Sequence, residues 1–348
     1  MTSHKSIRLS RRDLAIIRDV ARFKFLSSFQ VHRAHFSHAR HSTAADRLTR
    51  LTKAAMLSRV FTPPKATGHP TAVYYWTSHN QQQLRAYFGT RALASHWQPF
   101  ALLATTNHPE RANSQLYLAR ELAITEYFLC LEADASRHGY ELVFWERTSP
   151  FSAELLAASG MTKKTLTTTV IQETPRGPVA EAEDVPFNPE ALYVLRSPIQ
   201  QYLFCFHEND NSITPPQRFR RKLMGYEAYA QQGRVAQALD YYMKKYQLPS
   251  TIDPRTTYFR VTITTPDETR RNALFLDSLR LRSYRRFLFA SMTDVTPTTA
   301  LSAIWMGGKA LALLSEHLKA LPPETPPAPP SGILVDLLRH MPCVSLIE

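Results

Sequence analysis

The stretch Gln201–Ala230, QYLFCFHENDNSITPPQRFRRKLMGYEAYA, decides how the second half of the chain is read. Tyr202, Leu203, Phe204, Cys205 and Phe206 make a short aromatic run, the pattern of a buried strand. The run stops on two carboxylates, Glu208 and Asp210. A polar turn with two prolines follows, then a basic helix carrying Arg218, Arg220, Arg221 and Lys222. Two readings are open. In one, acids at a strand end hold a divalent cation and a facing lysine stabilises charge on a phosphate, as in a metal-dependent phosphodiesterase. In the other, an acidic strand end pairs with a basic helix and does no chemistry.

Working outward, the whole chain has 348 residues, enough for two or more domains with real cores. Its formal net charge of +13 favours a polyanionic partner, nucleic acid before an anionic membrane. No apolar run approaches the roughly 20 residues of a spanning helix. The N-terminus MTSHKSIRLSRRD has no secretory h-region. A cytoplasmic protein with no membrane partner is therefore expected. Cys130, Cys205 and Cys343 give neither paired metal spacing nor a disulfide framework, which suits a reducing compartment. There is no internal repeat, GxGxxG, Walker-type loop or HExxH.

The first 59 residues hold thirteen Lys/Arg against three Asp/Glu, so positive charge is concentrated there. Ser10 with Asp13 reads as a variant capping box opening a helix through Phe23. A second helix is expected over Ser28–His35. A third, capped by Ser42 or Thr43, would turn Ala45, Leu48, Leu51 and Ala55 inward and Arg40, Arg47, Arg50 and Lys53 outward. Leu57–Phe61, a Pro/Gly tip and Ala72–Trp76 read as a β-hairpin. Together these make a winged helix-turn-helix whose third helix enters the major groove of double-stranded DNA. Arg47, Arg50 and Thr43 would read bases. Arg40, Lys53 and the hairpin residues Arg59, Lys65 and His69 would complete the DNA-binding set. On this reading Arg47→Ala weakens specific binding by roughly 1–3 kcal/mol and leaves the fold alone. The bland alternative is a three-helix protein-interaction module with a solvated basic face. His32, His35, His38 and His41 lack a second ligand pair for zinc and read as solvated loop histidines.

Further on, Ser78–Phe88 is a short helix and 90–109 a connector between a first domain at 1–89 and a second at 110–320. Glu110–Arg137 is a long amphipathic helix with Leu116, Ala119, Leu122, Ala123, Phe128 and Leu131 inward and Gly139 closing it. Strands are expected at Tyr140–Trp145, Ala191–Arg196, Tyr202–Phe206, Tyr258–Thr264 and Arg286–Ala290. Helices are expected at Arg218–Ala230, Val235–Tyr246 and Asp267–Leu281. Lys163–Gln172 reads as a hairpin arm and Glu181–Asp184 as an acidic loop. The fold class is α/β (α+β), a mixed sheet flanked by helices. Residues 321–348 are a Pro-rich linker and tail.

This succession resembles the replication-relaxation proteins of plasmids and integrative elements. The likeness rests on the winged helix, a strand ending in Trp145-Glu146, and the pair Pro189-Glu190 before a strand. It continues with Glu208, Asp210 and Ser212 at a strand end, Lys222 and Tyr226 on a helix, and FRVTITTPDETRRNALF with Arg260 and Arg270. The resemblance implies a DNA-binding protein of mobile elements, acting in replication, mobilisation or transcriptional control. It also implies a restriction-endonuclease-like second domain, in which Glu190 stands for the pattern's aspartate and Glu208 for its second acid. Asp210 occupies the usual lysine position and Lys222 is the migrated lysine. If that core is active, Glu190, Glu208 and Asp210 bind Mg²⁺ and the chain is a DNA endonuclease or nickase. If it is degenerate, it needs no cofactor and serves DNA contact or dimerisation. Glu126 reads as a solvated helix acid. A homodimer is expected, and an adaptor role toward a relaxase or replication initiator stays open.

Overall fold

The computed structural model describes residues 7–62, 70–96, 114–174, 177–212, 214–249, 259–279 and 284–301, with the single positions 281, 305 and 307. Lys65, His69, Cys343 and the tail at 321–348 lie outside the described residues. The chain divides into two compact units, Met1–Leu129 and Cys130–Glu348. That division falls inside the long helix, not at the connector expected over 90–109.

The first unit opens with α1 (Arg11–Phe23), β1 (Phe25–Ser27), α2 (Ser28–His35) and α3 (His41–Lys53). It continues with β2 (Ser58–Phe61), β3 (Ala72–Tyr75), α4 (Ser78–His96) and the first part of α5 (Gln115–Arg137). The Ser10/Asp13 capping box forms as the residues suggest, and Ser27 with Gln30 makes a second one at α2. The three strands form an antiparallel sheet in the order β1-β3-β2, so three helices and a hairpin stand in the expected order. β1, at three residues, is too short to show a period in the sequence.

Several local readings change. α3 starts at His41 behind Arg40, which makes no side-chain cap, so neither Ser42 nor Thr43 caps it. Its buried face is Ala44, Leu48 and Leu51, while Ala45 and Ala55 are only half-buried. α4 runs on to His96 and so takes in the start of the expected connector. α5 buries Leu118, Glu121, Ile124, Thr125, Phe128 and Leu131, whereas Leu116 is 64% exposed and Ala119 also faces out. Glu126 is tied down, accepting from Gln30 Nε2 at 3.0 Å and from Arg33 at 2.5 Å.

The second unit is built on a five-stranded mixed sheet in the order β10-β9-β8-β7-β4. Its strands are β4 (Glu141–Arg147), β7 (Ala191–Arg196), β8 (Tyr202–Asn209), β9 (Phe259–Thr265) and β10 (Phe287–Ser291). The pairs β4–β7 and β7–β8 are antiparallel; β8–β9 and β9–β10 are parallel. A parallel neighbour requires a crossover. α7 (Pro216–Gln231) with α8 (Arg234–Lys245) supplies the first, and α9 (Glu268–Ser278) the second. Between β4 and β7 lies an insertion: α6 (Thr148–Ala158) and a hairpin of β5 (Thr165–Thr174) with β6 (Gly177–Pro186). Glu181–Asp184 is therefore strand, not loop; its alternating acids pair opposite threonine-rich β5.

One face of the sheet carries the main apolar core, where Phe204 and Phe206 of β8 meet Phe219, Leu223 and Tyr226 of α7. β8 alternates, so Glu208 joins that face while Cys205, His207 and Asn209 take the other. At Gly225 the α7 backbone comes so close to Pro186 that a Cβ would sit 1.9 Å from its carbonyl oxygen. Gly139 ends α5 at φ +71°, and Tyr140 N–H bonds back to Ala135 O at 2.8 Å, a glycine-closed helix end.

Candidate nucleic-acid interface and buried acidic core

In the first unit, α3 turns Arg40, Thr43, Asp46, Arg50 and Lys53 to solvent at helical spacing. Four of the expected DNA-binding residues thus share one exposed stripe, joined by an acid, Asp46. Arg59 is also exposed, on β2, with its guanidinium 4.8 Å over the ring of Phe61. Arg47 is the exception. Its Nε donates to Asp13 Oδ1 at 2.6 Å, its Nη2 to Asp13 Oδ2 at 2.5 Å, and Nη2 also to the Arg8 carbonyl at 2.9 Å. Asp13 is 1% exposed and holds the α1 cap. Burial acts to raise the Asp13 pKa, but the hydrogen bonds from Arg47 and Ser10 outweigh it and leave it below its ordinary value. Arg47 is therefore a strut between α1 and α3, which corrects its reading as a free base contact. Of the four histidines read as solvated loop residues, only His38 is exposed: His32 bonds the Ala39 carbonyl at 2.8 Å, His41 stacks on Phe29 with its ring 5.4 Å from that of His32, and His35 Nε2 stands 2.9 Å from Asp19.

In the second unit the two acids that the sequence set side by side part company. Glu208 is fully buried and accepts from Lys222 Nζ and Tyr226 Oη, each at 2.5 Å. Lys222 and Tyr226 stand one helical turn apart on α7, which is why both reach the same carboxylate. Glu190, at the entry to β7, lies 3.9 Å from Lys222 and accepts from the Asn209 N–H at 3.3 Å. Burial, with the Glu190 charge beside it, pushes the Glu208 carboxyl up to about 7 against the pull of Lys222 and Tyr226. Burial and Glu208 also push Tyr226 well above its ordinary value, so it stays a donor.

Asp210 turns away from this group. Its carboxylate takes a two-pronged contact from Arg270 of α9, at 2.6 and 3.1 Å, and Arg270 also bonds the Thr214 carbonyl. On the opposite sheet face His207 sits between Thr262 at 3.2 Å and Thr264 at 3.5 Å, with Tyr193 also on Thr262. Burial first, then the charges of Arg147 and Lys222, hold its imidazole well below the ordinary value and hence neutral. Cys205 on that face is a free, buried thiol pushed up to about 12 by burial.

The expected metal set does not survive this geometry as a ligand cage. A divalent ion needs several converging oxygens, but an ammonium already bridges Glu190 and Glu208, and a guanidinium takes both oxygens of Asp210. Among the described residues no group of three His, Cys, Asp or Glu is placed to hold a metal ion. As the side chains stand, they do not fit Mg²⁺. Glu190, Glu208 and Lys222 do come together, as the sequence suggested; Asp210 does not join them.

A family model described as replication-relaxation matches residues 17–240. The chain belongs to the replication-relaxation family. The matched range takes in α3, Glu190, Glu208, Lys222 and Tyr226, while Arg270 lies beyond it. No curated protein and no solved structure matches the chain. Among the described residues no helix is long and apolar enough to cross a membrane.

Proposed function

We propose that this replication-relaxation protein is a sequence-specific binder of double-stranded DNA from a mobile element, acting in its replication, mobilisation or transcriptional control. The observation that carries the reading is the exposed stripe Arg40, Thr43, Arg50 and Lys53 on α3. The buried side of that helix is anchored in a helix–strand–helix–helix–hairpin arrangement, which we read as a winged helix-turn-helix. The net charge of +13 supports a polyanionic partner. Footprinting on DNA from the chain's own gene neighbourhood tests it. Wild type should protect a discrete site, and Arg40→Ala should weaken that protection by roughly 1–3 kcal/mol. Uniform protection of every fragment, or identical protection by the variant, speaks against base reading.

The second unit we read as a restriction-endonuclease-like core that has lost hydrolysis and serves DNA contact or dimerisation. A nuclease reading draws support from the meeting of Glu190, Glu208 and Lys222, but the Asp210–Arg270 pair occupies the position where that pattern carries its lysine. Supercoiled DNA incubated with Mg²⁺ or Mn²⁺ should remain intact. Nicking by wild type that Glu208→Ala abolishes would restore the enzyme.

A further inference from the structure

A groove of about 600 Å³ lies between the first turn of α1 and the α3 stripe. Its floor is the Asp13–Arg47 pair, which is internally neutralised. Its walls carry Arg11, Arg12 and Arg50, all exposed. None of the three guanidinium groups has a carboxylate partner among the described residues. Arg12 is held in place from below, its guanidinium 4.9 Å over the buried ring of Phe36. Thr43 adds a hydroxyl to the lining, and the one carboxylate left without a cation is Asp46. Four guanidiniums against two carboxylates thus line a concave surface that shares Thr43 and Arg50 with the exposed stripe of α3.

We propose that this groove seats the phosphate backbone of the duplex, with Arg11, Arg12 and Arg50 as its phosphate contacts. The inference rests on the DNA-binding reading above and sharpens it by dividing labour within α3. Planar guanidiniums match phosphate oxygens with paired hydrogen bonds. Arg50 belongs to both the groove and the stripe, so a strand tracked by α1 runs directly along the helix that reads bases. The Asp13–Arg47 strut fixes the spacing between the two helices, making Arg47 a positioning residue.

The test is the salt dependence of binding to a random-sequence duplex of about 30 base pairs, followed by fluorescence anisotropy. Each phosphate contact contributes about 0.9 to the slope of log affinity against log salt. The triple variant Arg11→Gln, Arg12→Gln, Arg50→Gln should flatten the slope by roughly 2 to 3 while its melting temperature stays at the wild-type value. A charge-matched control, Arg137→Gln, Lys163→Gln, Lys244→Gln, should leave the slope unchanged. An unchanged slope in the groove variant, or equal flattening in the control, overturns the groove while leaving DNA binding intact. Stabilisation of the free protein by inorganic phosphate at constant ionic strength, lost in the groove variant alongside an unchanged slope, assigns the groove to a free anion instead. No binding of wild type to any duplex overturns the functional reading itself.

Discussion

Arg47 and Lys222 both carry the spacing of outward-facing helix cations, and both are held by a carboxylate that the chain buries. For Arg47 the holder is Asp13, so Arg47→Ala should strand a buried acid. We expect a loss of about 2 to 3 kcal/mol, a little under that of a fully enclosed pair because the guanidinium is 24% exposed. A urea titration reads it, and restoration by a second change, Asp13→Asn, separates the stranded charge from lost packing. Glu208 gives a pH signature instead. Its carboxyl is raised from 4.5 to about 7 in the folded chain, so the folded state holds its proton more tightly. Stability from this group is full below about pH 4.5 and declines until about pH 7, by on the order of 3 kcal/mol. Glu208→Gln should remove that slope; a Gln variant that keeps the wild-type slope would move the titration to another group. These partners were only half legible. Lys222 and Tyr226 share a turn, so their common target could be read from spacing. Asp13 to Arg47 and Asp210 to Arg270 are separated by 34 and 60 residues, and no local pattern reports such a pair.

Elements were legible where burial marks them. β7 and α2 appear at their expected bounds, and β8, α7 and β9 within a few residues; the three strands are buried on both faces almost throughout, and each helix turns one side to a core. The misses share a different cause. β6 alternates acids with small residues, a pattern that shows no apolar face, and it is held as strand by its ladder to β5. α6 lacks a clear apolar stripe, and only Leu155 among its described side chains is fully buried. α7 also contains a position whose meaning is invisible in one dimension. In a solvated helix Gly→Ala stabilises by about 1 kcal/mol. At Gly225 the new methyl would meet the Pro186 carbonyl at 1.9 Å, a backbone atom that cannot rotate away. Gly225→Ala should therefore destabilise by about 3 kcal/mol and lift Lys222 and Tyr226 off Glu208. The sign decides the matter in a thermal melt, since a variant melting at or above wild type would mean that α7 is not seated on Pro186.

On the scale of the whole molecule, the two units carry opposite pH devices. Asp13 lies in the first unit and its pKa is lowered in the folded state. Its contribution is complete above its ordinary value of 3.8 and is lost as pH falls below that. Glu208 lies in the second unit, and its contribution disappears in the other direction, as pH climbs from about 4.5 to about 7. Separate units of a chain need not melt together. Scanning calorimetry should accordingly show two transitions whose separation changes with pH. Between pH 4.5 and 7 the second unit's transition should move down while Asp13 leaves the first unit's unchanged; below about pH 4 the first should begin to fall. Arg47→Ala and Gly225→Ala assign the peaks, because each should lower one transition and spare the other. A single transition that both variants shift equally would mean that the units unfold as one, and the Arg47 strut would then support the core of the second unit as well as the seat of α3.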